Sequence, residues 1–357
     1  MNYKKESELI TIKDYGYGFN SLGELRQLDG KKEKYSYDQL RLLLSPTDRS
    51  YQCRTSVWGP ERIRQNFEKA MKKYVKDYVI EKFKYTKLPV PEGSWEKTGT
   101  YALASHKYFL KDTLLVFVTI DSAIWDDWLL SQNLYKYSMI PYFQHAKDRG
   151  YGVVSMQMWK HWYNWNDYSH RVLTGQEYAE YVWDHYISKS QASAIVIIGH
   201  SGASEEVTEM AVKKKEDFKR RVKAVALLGG SPCSYRNKNP KFPKYYARVT
   251  KHWKCDKSLS LGVPLEDDTE KTGINTVSAG TNNYREAPHL CMEAALKFID
   301  KKLKKFYETQ PKTHKVLLPK PTQVNSRPRK KCNYTDDAYE DLKDQLDYMD
   351  HQYEDEL

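Results

Sequence analysis

A serine flanked by small residues follows an apolar segment near the middle of the chain. Residues 196–203 read VIIGHSGA, and a helical pattern comes next. A nucleophilic serine on a tight strand-to-helix turn needs small neighbours, because larger side chains would collide with the adjoining strand and helix. Such neighbours are present, namely Gly199, Gly202 and Ala203. The spacing predicts a nucleophile elbow at Ser201, although a helix N-cap, in which the serine only binds free amides, also fits.

A serine of this kind acts only together with a histidine base and an acid that lie after it in the chain. The candidate base is His289, and the candidate acids are Asp256, Asp267 and Asp268. His200 is adjacent to the serine but is expected to point away from the reaction centre. With His289 as base, Ser201 would make the protein a serine hydrolase acting on an ester or acyl group.

The segment expected to stabilise the developing negative charge argues against this activity. An oxyanion hole needs bare amides on the loop after the first core strand, and glycines commonly supply them. Here the corresponding segment is VFVTIDSAIWDDW, residues 116–128, which contains no glycine. Asp121 would also place a negative charge where one must develop. These residues favour an inert site.

Five short apolar segments alternate with helical patterns from residue 113 onward. They are TLLVFV, YGVVSM, AIVIIG, VKAVALL and INTVSAG. Nearly continuous apolar strands between helices are typical of a parallel sheet covered on both faces. The predicted fold class is α/β, with three α/β/α layers around a mostly parallel central sheet, as in α/β-hydrolases.

Composition divides the 357 residues into three regions. Residues 1–100 contain glycine-rich turns and are expected to form an N-terminal hairpin and helix region packed on the main domain. The helix is predicted from about Glu61, and its buried face is Ile63, Phe67, Met71, Tyr74 and Tyr78. Residues 101–310 carry the predicted hydrolase-like domain. Residues 311–357 are rich in proline and basic residues and then become acidic, which predicts a flexible, disordered C-terminal tail.

Composition also limits the partners and cofactors. The net charge of +11 comes from 58 basic and 47 acidic residues, so the surface is mixed and direct RNA binding is only weakly indicated. The five cysteines form no CxxC pair or metal-binding spacing, and we expect no metal, no cofactor and a reducing compartment. No apolar run long enough to span a membrane occurs. The terminal EDEL is interpreted as part of the acidic tail.

Several segments together resemble one protein family. They are FNSLGELRQL, MIPYFQHAKDRGYGVV, EYAEYVWDHYI, IVIIGHSGA, VKAVALLGGS and VSAGT, in this order over residues 15–306. They are similar to the argonaute-binding Arb2 domain family, and specifically to its animal branch of cotranscriptional regulators. The resemblance implies a hydrolase-like domain without an established reaction, which works with Argonaute proteins and chromatin regulators in small-RNA silencing and splicing control.

The resemblance also assigns individual positions. The family's elbow serine falls on Ser201, whereas its His-Gly-Ser-Gly motif falls on Thr119, Ile120, Asp121 and Ser122 and is lost. Its histidine after SAGT falls on Tyr284, which leaves His289 as the possible replacement. Its Trp-Asp-His signature is retained as Trp183, Asp184 and His185. We interpret the signature as structural, because such side chains pack or bind nearby backbone.

Two functions from different classes follow. The favoured one is a catalytically inert scaffold that binds Argonaute, chromatin or heterochromatin proteins in the nucleus and cytoplasm and contacts RNA only indirectly. The alternative is the serine hydrolase described above. In the tail, a basic cluster resembles a nuclear import signal read by importin, although a solvated linker is equally compatible; its residues are Arg327, Arg329, Lys330 and Lys331.

Overall fold

The computed structural model describes residues 11–28, 34, 59–91, 100–127, 129–158, 173–231 and 242–310, with only the backbone described for residues 59–63. Contacts group the described residues into two compact units. The first contains the described residues up to Ala70 together with Ser131–Leu134, and the second contains those of Met71–Leu130 and Tyr135–Leu317.

The first unit contains a short hairpin. Strand β1 (Tyr17–Phe19) pairs antiparallel with β2 (Leu25–Gln27). The side-chain carbonyl of Asn20 accepts two backbone amides of the connecting turn, a role for which asparagine is well suited. The ring of Tyr15 packs edge-on against Phe67 at 5.0 Å, so aromatic contacts stabilise this unit.

The second unit is built on an eight-stranded sheet. Its strands are β3 (Thr86–Pro89), β4 (Tyr101–Ala104), β5 (Thr113–Val118), β6 (Gly152–Ser155), β7 (Ala194–His200), β8 (Val222–Leu228), β9 (Thr250–Lys254) and β10 (Asn275–Ser278). Their spatial order is β10-β9-β8-β7-β5-β6-β4-β3. The pairs β3–β4 and β4–β6 are antiparallel and the others are parallel. In such sheets, ligand sites form at the carboxyl ends of the parallel strands.

Helices separate most of these strands along the chain. The α-helices are Gly59–Phe83, Leu134–Tyr137, Ile140–Asp148, Gly175–Val182, Ser204–Lys213, Lys215–Arg221, Lys244–Val249, Glu266–Thr272, Ala287–Leu290 and Met292–Glu308. A π-helix covers Trp183–Ile187, and 3-10 turns cover Tyr108–Leu110 and Ser201–Ala203. No described helix combines the length and apolar character needed to cross a membrane.

Side chains on the two faces of β5 show why the sheet forms the middle layer. All six residues of β5 and all seven of β7 are buried, so helices must cover both faces. Phe117 packs against Tyr142 and Phe143 on one face. Val116 joins a cluster with Tyr178 on the other face. The predicted α/β/α fold with a mostly parallel sheet is confirmed.

The five strands predicted from apolar segments are β5, β6, β7, β8 and β10, and all five are confirmed. The sequence pattern missed β9, because its sequence TKHWK contains three basic side chains and lacks an apolar run. It also missed β3 and β4.

The predicted buried face of helix Gly59–Phe83 is partly wrong. Phe67 and Met71 are buried as expected, but the buried row continues through Val75 and Val79. Tyr74 and Tyr78 are only partly buried and stack on each other at 6.4 Å. Tyrosine favours such flanking positions, because its ring can pack while its hydroxyl remains near water. The side chain of Ile63 lies outside the described residues.

Residues 311–357 also lie outside the described residues. They include the predicted import signal Arg327–Lys331 and the acidic end of the tail. The tail therefore stays a prediction. The boundaries predicted at residues 100 and 310 stay predictions too.

Candidate functional site

Ser201 lies at the tip of the turn between β7 and helix Ser204–Lys213. Its φ of 54° is in the left-handed region, which costs a non-glycine residue on the order of 1–3 kcal/mol. A nucleophile elbow has this strained backbone, which exposes the serine hydroxyl at the end of the sheet. The helix itself has no side-chain cap at Ala203. Ser201 therefore has the backbone of an elbow and not the role of a helix cap.

Close packing explains one of the small residues of the elbow. A Cβ atom on Gly199 would lie 3.0 Å from Leu227 Cδ2 and 3.1 Å from Val207 Cγ2. Neither Gly199 nor Gly202 has a positive φ, so the backbone strain is at Ser201 itself. Gly199 is needed for strand and helix contact and not for an unusual dihedral angle.

A glycine pair after β8 packs directly against the elbow, and the sequence patterns did not indicate this contact. A Cβ atom on Gly230 would lie 2.1 Å from the Ser201 carbonyl oxygen and 2.3 Å from Ser204 Oγ. Gly229 has a φ of 66°. The ring of His252 on β9 bonds the Gly230 carbonyl through Nε2. The elbow is thus held from the side by backbone.

His200 connects the elbow to the loop after β10. Its ring is 1% exposed, its Nε2 lies 3.0 Å from the Tyr284 carbonyl oxygen, and Trp125 packs edge-on against it at 5.4 Å. Burial lowers the pKa of His200 to about 4, despite the backbone hydrogen bond, so the ring is neutral at pH 7. Its Nδ1 is buried without a hydrogen-bond partner. His200 is therefore a structural contact beside Ser201.

The candidate base His289 is exposed on the short helix Ala287–Leu290. Partial burial and the charge of Lys136 lower the pKa of His289. Within the described part of the chain, no hydrogen bond joins His289, or any other histidine, to the hydroxyl of Ser201. The structure therefore places a histidine near the end of the sheet but does not join it to the serine.

Three contacts hold the loop that carries His289. They are Tyr142 Oη to the Pro288 carbonyl at 2.6 Å, His200 Nε2 to the Tyr284 carbonyl at 3.0 Å, and Arg285 Nε to Asp126 Oδ2 at 2.9 Å. Tyr142 and His200 are both buried, so two of these contacts are shielded from water. These contacts fix the backbone position from which the His289 side chain extends.

The candidate acids have other partners or positions. Asp256 Oδ1 accepts hydrogen bonds from the backbone amide and hydroxyl of Ser258, and these bonds lower the pKa of Asp256. Asp268 forms an ion pair with Lys254 at 2.8 Å. Asp267 lies in the first turn of helix Glu266–Thr272. None of the three is hydrogen-bonded to His289 in the described chain.

The loop after β5 is closed by its own polar groups. Asp121 Oδ1 accepts the Ala123 amide at 3.0 Å, and Thr119 Oγ1 donates to the Asp121 carbonyl at 2.6 Å. Lys76 Nζ pairs with Asp121 Oδ2 at 2.8 Å. Burial alone would lower the pKa of Lys76, but Asp121 and Tyr101 outweigh burial and raise it. The expected negative charge is thus balanced locally by Lys76, and the same carboxylate is hydrogen-bonded to the Ala123 amide.

The Trp183 position of the family signature takes part in a buried polar network. Trp183 Nε1 donates to Asp217 Oδ2 at 3.2 Å, and Asp217 binds Arg221 through both carboxylate oxygens. Arg221 also donates to the carbonyls of Ser190 and Ile187. Burial alone would raise the pKa of Asp217, but the hydrogen bonds and charge of Arg221 lower it. This network joins two helical segments before β7 and β8.

The other two signature residues have outward contacts on the same π-helix, Trp183–Ile187. Asp184 forms an exposed ion pair with Lys214 at 2.7 Å. His185 stacks on Tyr181 at 3.7 Å and bonds its carbonyl through Nδ1. These contacts agree with a structural role, and none of them involves Ser201. Among the described residues, no group of three or more His, Cys, Asp or Glu side chains could hold a metal ion.

The sequence model of the Arb2 domain matches residues 10–258 of this chain. The chain belongs to the Arb2 domain family. The matched segment of this Arb2 protein includes the elbow and the Trp183 signature, but it ends before Tyr284 and His289. The assignment of the family's histidine to Tyr284 therefore stays a prediction.

Relatives of this Arb2 protein are named as cotranscriptional regulators. A Xenopus tropicalis relative, "Cotranscriptional regulator ARB2A homolog", is 29% identical over 43% of this chain and 34% of its own length. A Dictyostelium discoideum homolog is 23% identical over 83% of this chain and 80% of its own length. The human "Cotranscriptional regulator ARB2A" is 28% identical over 30% of this chain and 26% of its own length. The chain thus spans about a third of the Xenopus relative it matches.

Solved structures with similar backbones include "A histone deacetylase from Saccharomyces cerevisiae", with a TM-score of 0.47 at 16% identity over 66% of this chain and 98% of that chain. "Crystal structure of an esterase E25" has a TM-score of 0.37 at 11% identity over 74% and 94% of the two chains.

Proposed function

We propose that this Arb2 protein is a catalytically inert hydrolase-like scaffold for cotranscriptional regulation. One observation carries the proposal: Ser201 has the elbow backbone, but its hydroxyl lacks a histidine partner in the described chain. Without a base, a serine hydroxyl is a weak nucleophile. The loop that carries His289 is also held by contacts of Tyr142, His200 and Asp126.

The oxyanion region supports the same proposal. Removing a single oxyanion donor costs roughly 2.7–4 kcal/mol of transition-state stabilisation. Here the Ala123 amide already binds Asp121, which also pairs with Lys76. A transition state at Ser201 would therefore lack a base and would compete with a carboxylate for a donor.

The partners of the scaffold are proposed from family membership. We assign it Argonaute proteins, and chromatin or heterochromatin proteins, in small-RNA silencing or splicing control, with action in the nucleus and cytoplasm. The names of the relatives support a role in cotranscriptional regulation. At the sheet edge near the elbow, Tyr284 and Leu290 are 39% and 43% exposed, and such apolar side chains suit a protein contact.

Two measurements test this function. Labelling of the full-length protein by a fluorophosphonate probe should be no stronger than labelling of Ser201→Ala. Affinity purification of the endogenous protein, followed by mass spectrometry, should recover an Argonaute or a chromatin regulator. Recovery of neither class would contradict the scaffold proposal.

The serine hydrolase remains the second candidate, because Ser201 retains the strained elbow dihedral. Such strain persists mainly where the surrounding structure requires it, and active sites are a common place for it. Probe labelling that disappears in both Ser201→Ala and His289→Ala would establish this alternative. Exposed His106→Ala is the matched control, because it removes an imidazole outside the site.

A further inference from the structure

A cluster of cations lies where the parallel strands of the sheet begin, at the end opposite the elbow. We call it the basic edge; its residues are Arg220, Lys223, Arg248, Lys301, Lys302 and Lys305. Arg220 and Lys223 flank the start of β8, and Arg248 comes just before β9. Because β7, β8 and β9 are parallel, these starts lie at the opposite edge from Ser201, which follows the end of β7.

Contacts show that these cations are neighbours in space. Lys302 Nζ donates to the Arg248 carbonyl at 2.8 Å, and Lys223 Nζ donates to the Arg220 carbonyl. The helix Met292–Glu308 meets the starts of β9 and β8 here, through Lys302 with Arg248 and through Phe306 with Lys223. Burial lowers the pKa of Lys223, and the charges of Arg220 and Arg248 lower it further. The cations thus repel one another across a shared surface.

Carboxylates do not balance this charge. Within the described chain, only Arg220 of the basic edge has an ion pair, with Asp217 at 2.7 Å. Arg248, Lys301 and Lys305 are exposed. Unpaired like charges destabilise a fold by repulsion, and a bound polyanion would relieve that repulsion.

A recess adjoins the basic edge. It has a volume of about 590 Å³, and it is lined by Arg220 and Lys223 together with Phe306, Gln191 and Ser193. Lys223 Nζ lies 4.4 Å from the centre of the Phe306 ring. Aromatic rings, amides and hydroxyls beside cations are the groups that stack and hydrogen-bond unpaired bases.

We propose that the basic edge binds single-stranded nucleic acid, with the phosphates on the cations and a base in the recess. This goes beyond the proposed scaffold function and does not depend on whether Ser201 reacts. An acidic peptide would satisfy the charges but would have no use for the ring of Phe306. A duplex would keep its bases paired and could not place one in the recess.

The test is fluorescence anisotropy of the full chain with labelled oligouridine RNA and oligothymidine DNA of about 20 nucleotides, a length that exceeds a typical single-strand site. The double variant Arg248→Glu with Lys305→Glu should bind both at least about tenfold more weakly. The slope of log affinity against log salt concentration should become smaller in magnitude by about 1.4, because each lost single-strand phosphate contact contributes about 0.7.

The matched control is Lys82→Glu with Lys257→Glu, two exposed lysines outside the basic edge. Lys82 precedes β3, which is an edge strand of the sheet, and Lys257 follows the carboxyl end of β9. This pair changes the net charge by the same amount. If direct phosphate contacts and not the total charge determine the affinity for single strands, it should alter that affinity less than about twofold. Equal loss in both pairs would overturn the proposal.

The recess has its own variant. Phe306→Leu should weaken single-strand binding at least about fivefold and leave weak duplex binding unchanged, because base stacking is lost. Tighter binding of duplex DNA or of poly-glutamate than of the single strands would contradict the proposal. Residues 311–331 also carry cations. The differences between variants, and not wild-type binding alone, are therefore the criterion.

Discussion

Two buried neutral histidines should make the fold sensitive to acid. His200 and His252 are 1% and 4% exposed, and burial lowers the pKa of each to about 4, although backbone hydrogen bonds oppose this shift. In the unfolded chain both have the ordinary value of 6.5. Between these values the unfolded state binds more protons. The stability that these two neutral rings contribute is therefore fully present above about pH 6.5 and is lost as the pH falls towards 4.

The size of the effect follows from the same values. At pH 5 an unfolded histidine is almost fully protonated and a buried one is still neutral, which costs about 2 kcal/mol each. We expect the free energy of unfolding to fall by about 4 kcal/mol between pH 7 and pH 5 from the two rings together. Urea unfolding followed by tryptophan fluorescence at each pH measures this change.

Variants separate these rings from the other ionisable groups. His200→Gln keeps a side-chain donor for the Tyr284 carbonyl but cannot titrate, and it should remove about half of the pH-dependent loss. His252→Gln should remove a similar part. Exposed His106→Gln is the control and should leave the slope unchanged. If His200→Gln and His252→Gln retain the wild-type pH dependence, the burial argument is refuted.

Three further outcomes are expected. Asp217→Ala should cost about 3–5 kcal/mol in urea unfolding, because it leaves buried Arg221 without its carboxylate; Asp184→Ala, which removes an exposed pair, should cost less than about 1 kcal/mol. Ser201→Gly should stabilise the fold by about 1 kcal/mol by relieving the left-handed φ, whereas Ser201→Ala should not, as thermal unfolding can show. Alanines at residues 329–331 should reduce nuclear accumulation in live-cell imaging, and unchanged localisation would contradict the import signal.

Local sequence determined the elements that a single segment can encode. Strands β5 and β7 are buried on both faces, so their composition is apolar without interruption and their positions are readable directly. The elbow was readable because Gly199 and Ala203 meet the steric demands of a tight turn over a few residues. β9 was not readable, because side chains such as Lys251 hide its apolar pattern.

Only the tertiary structure decided how the site is assembled. His200 meets Tyr284, Arg285 meets Asp126, and Lys76 balances Asp121, in contacts between residues distant in the chain. The basic edge likewise unites segments around β8, β9 and the last described helix. No local pattern specifies such pairs, since the order of the strands determines which loops meet. These contacts between distant loops determine whether a charged group is buried, paired or repelled. They therefore also determine which groups surround Ser201.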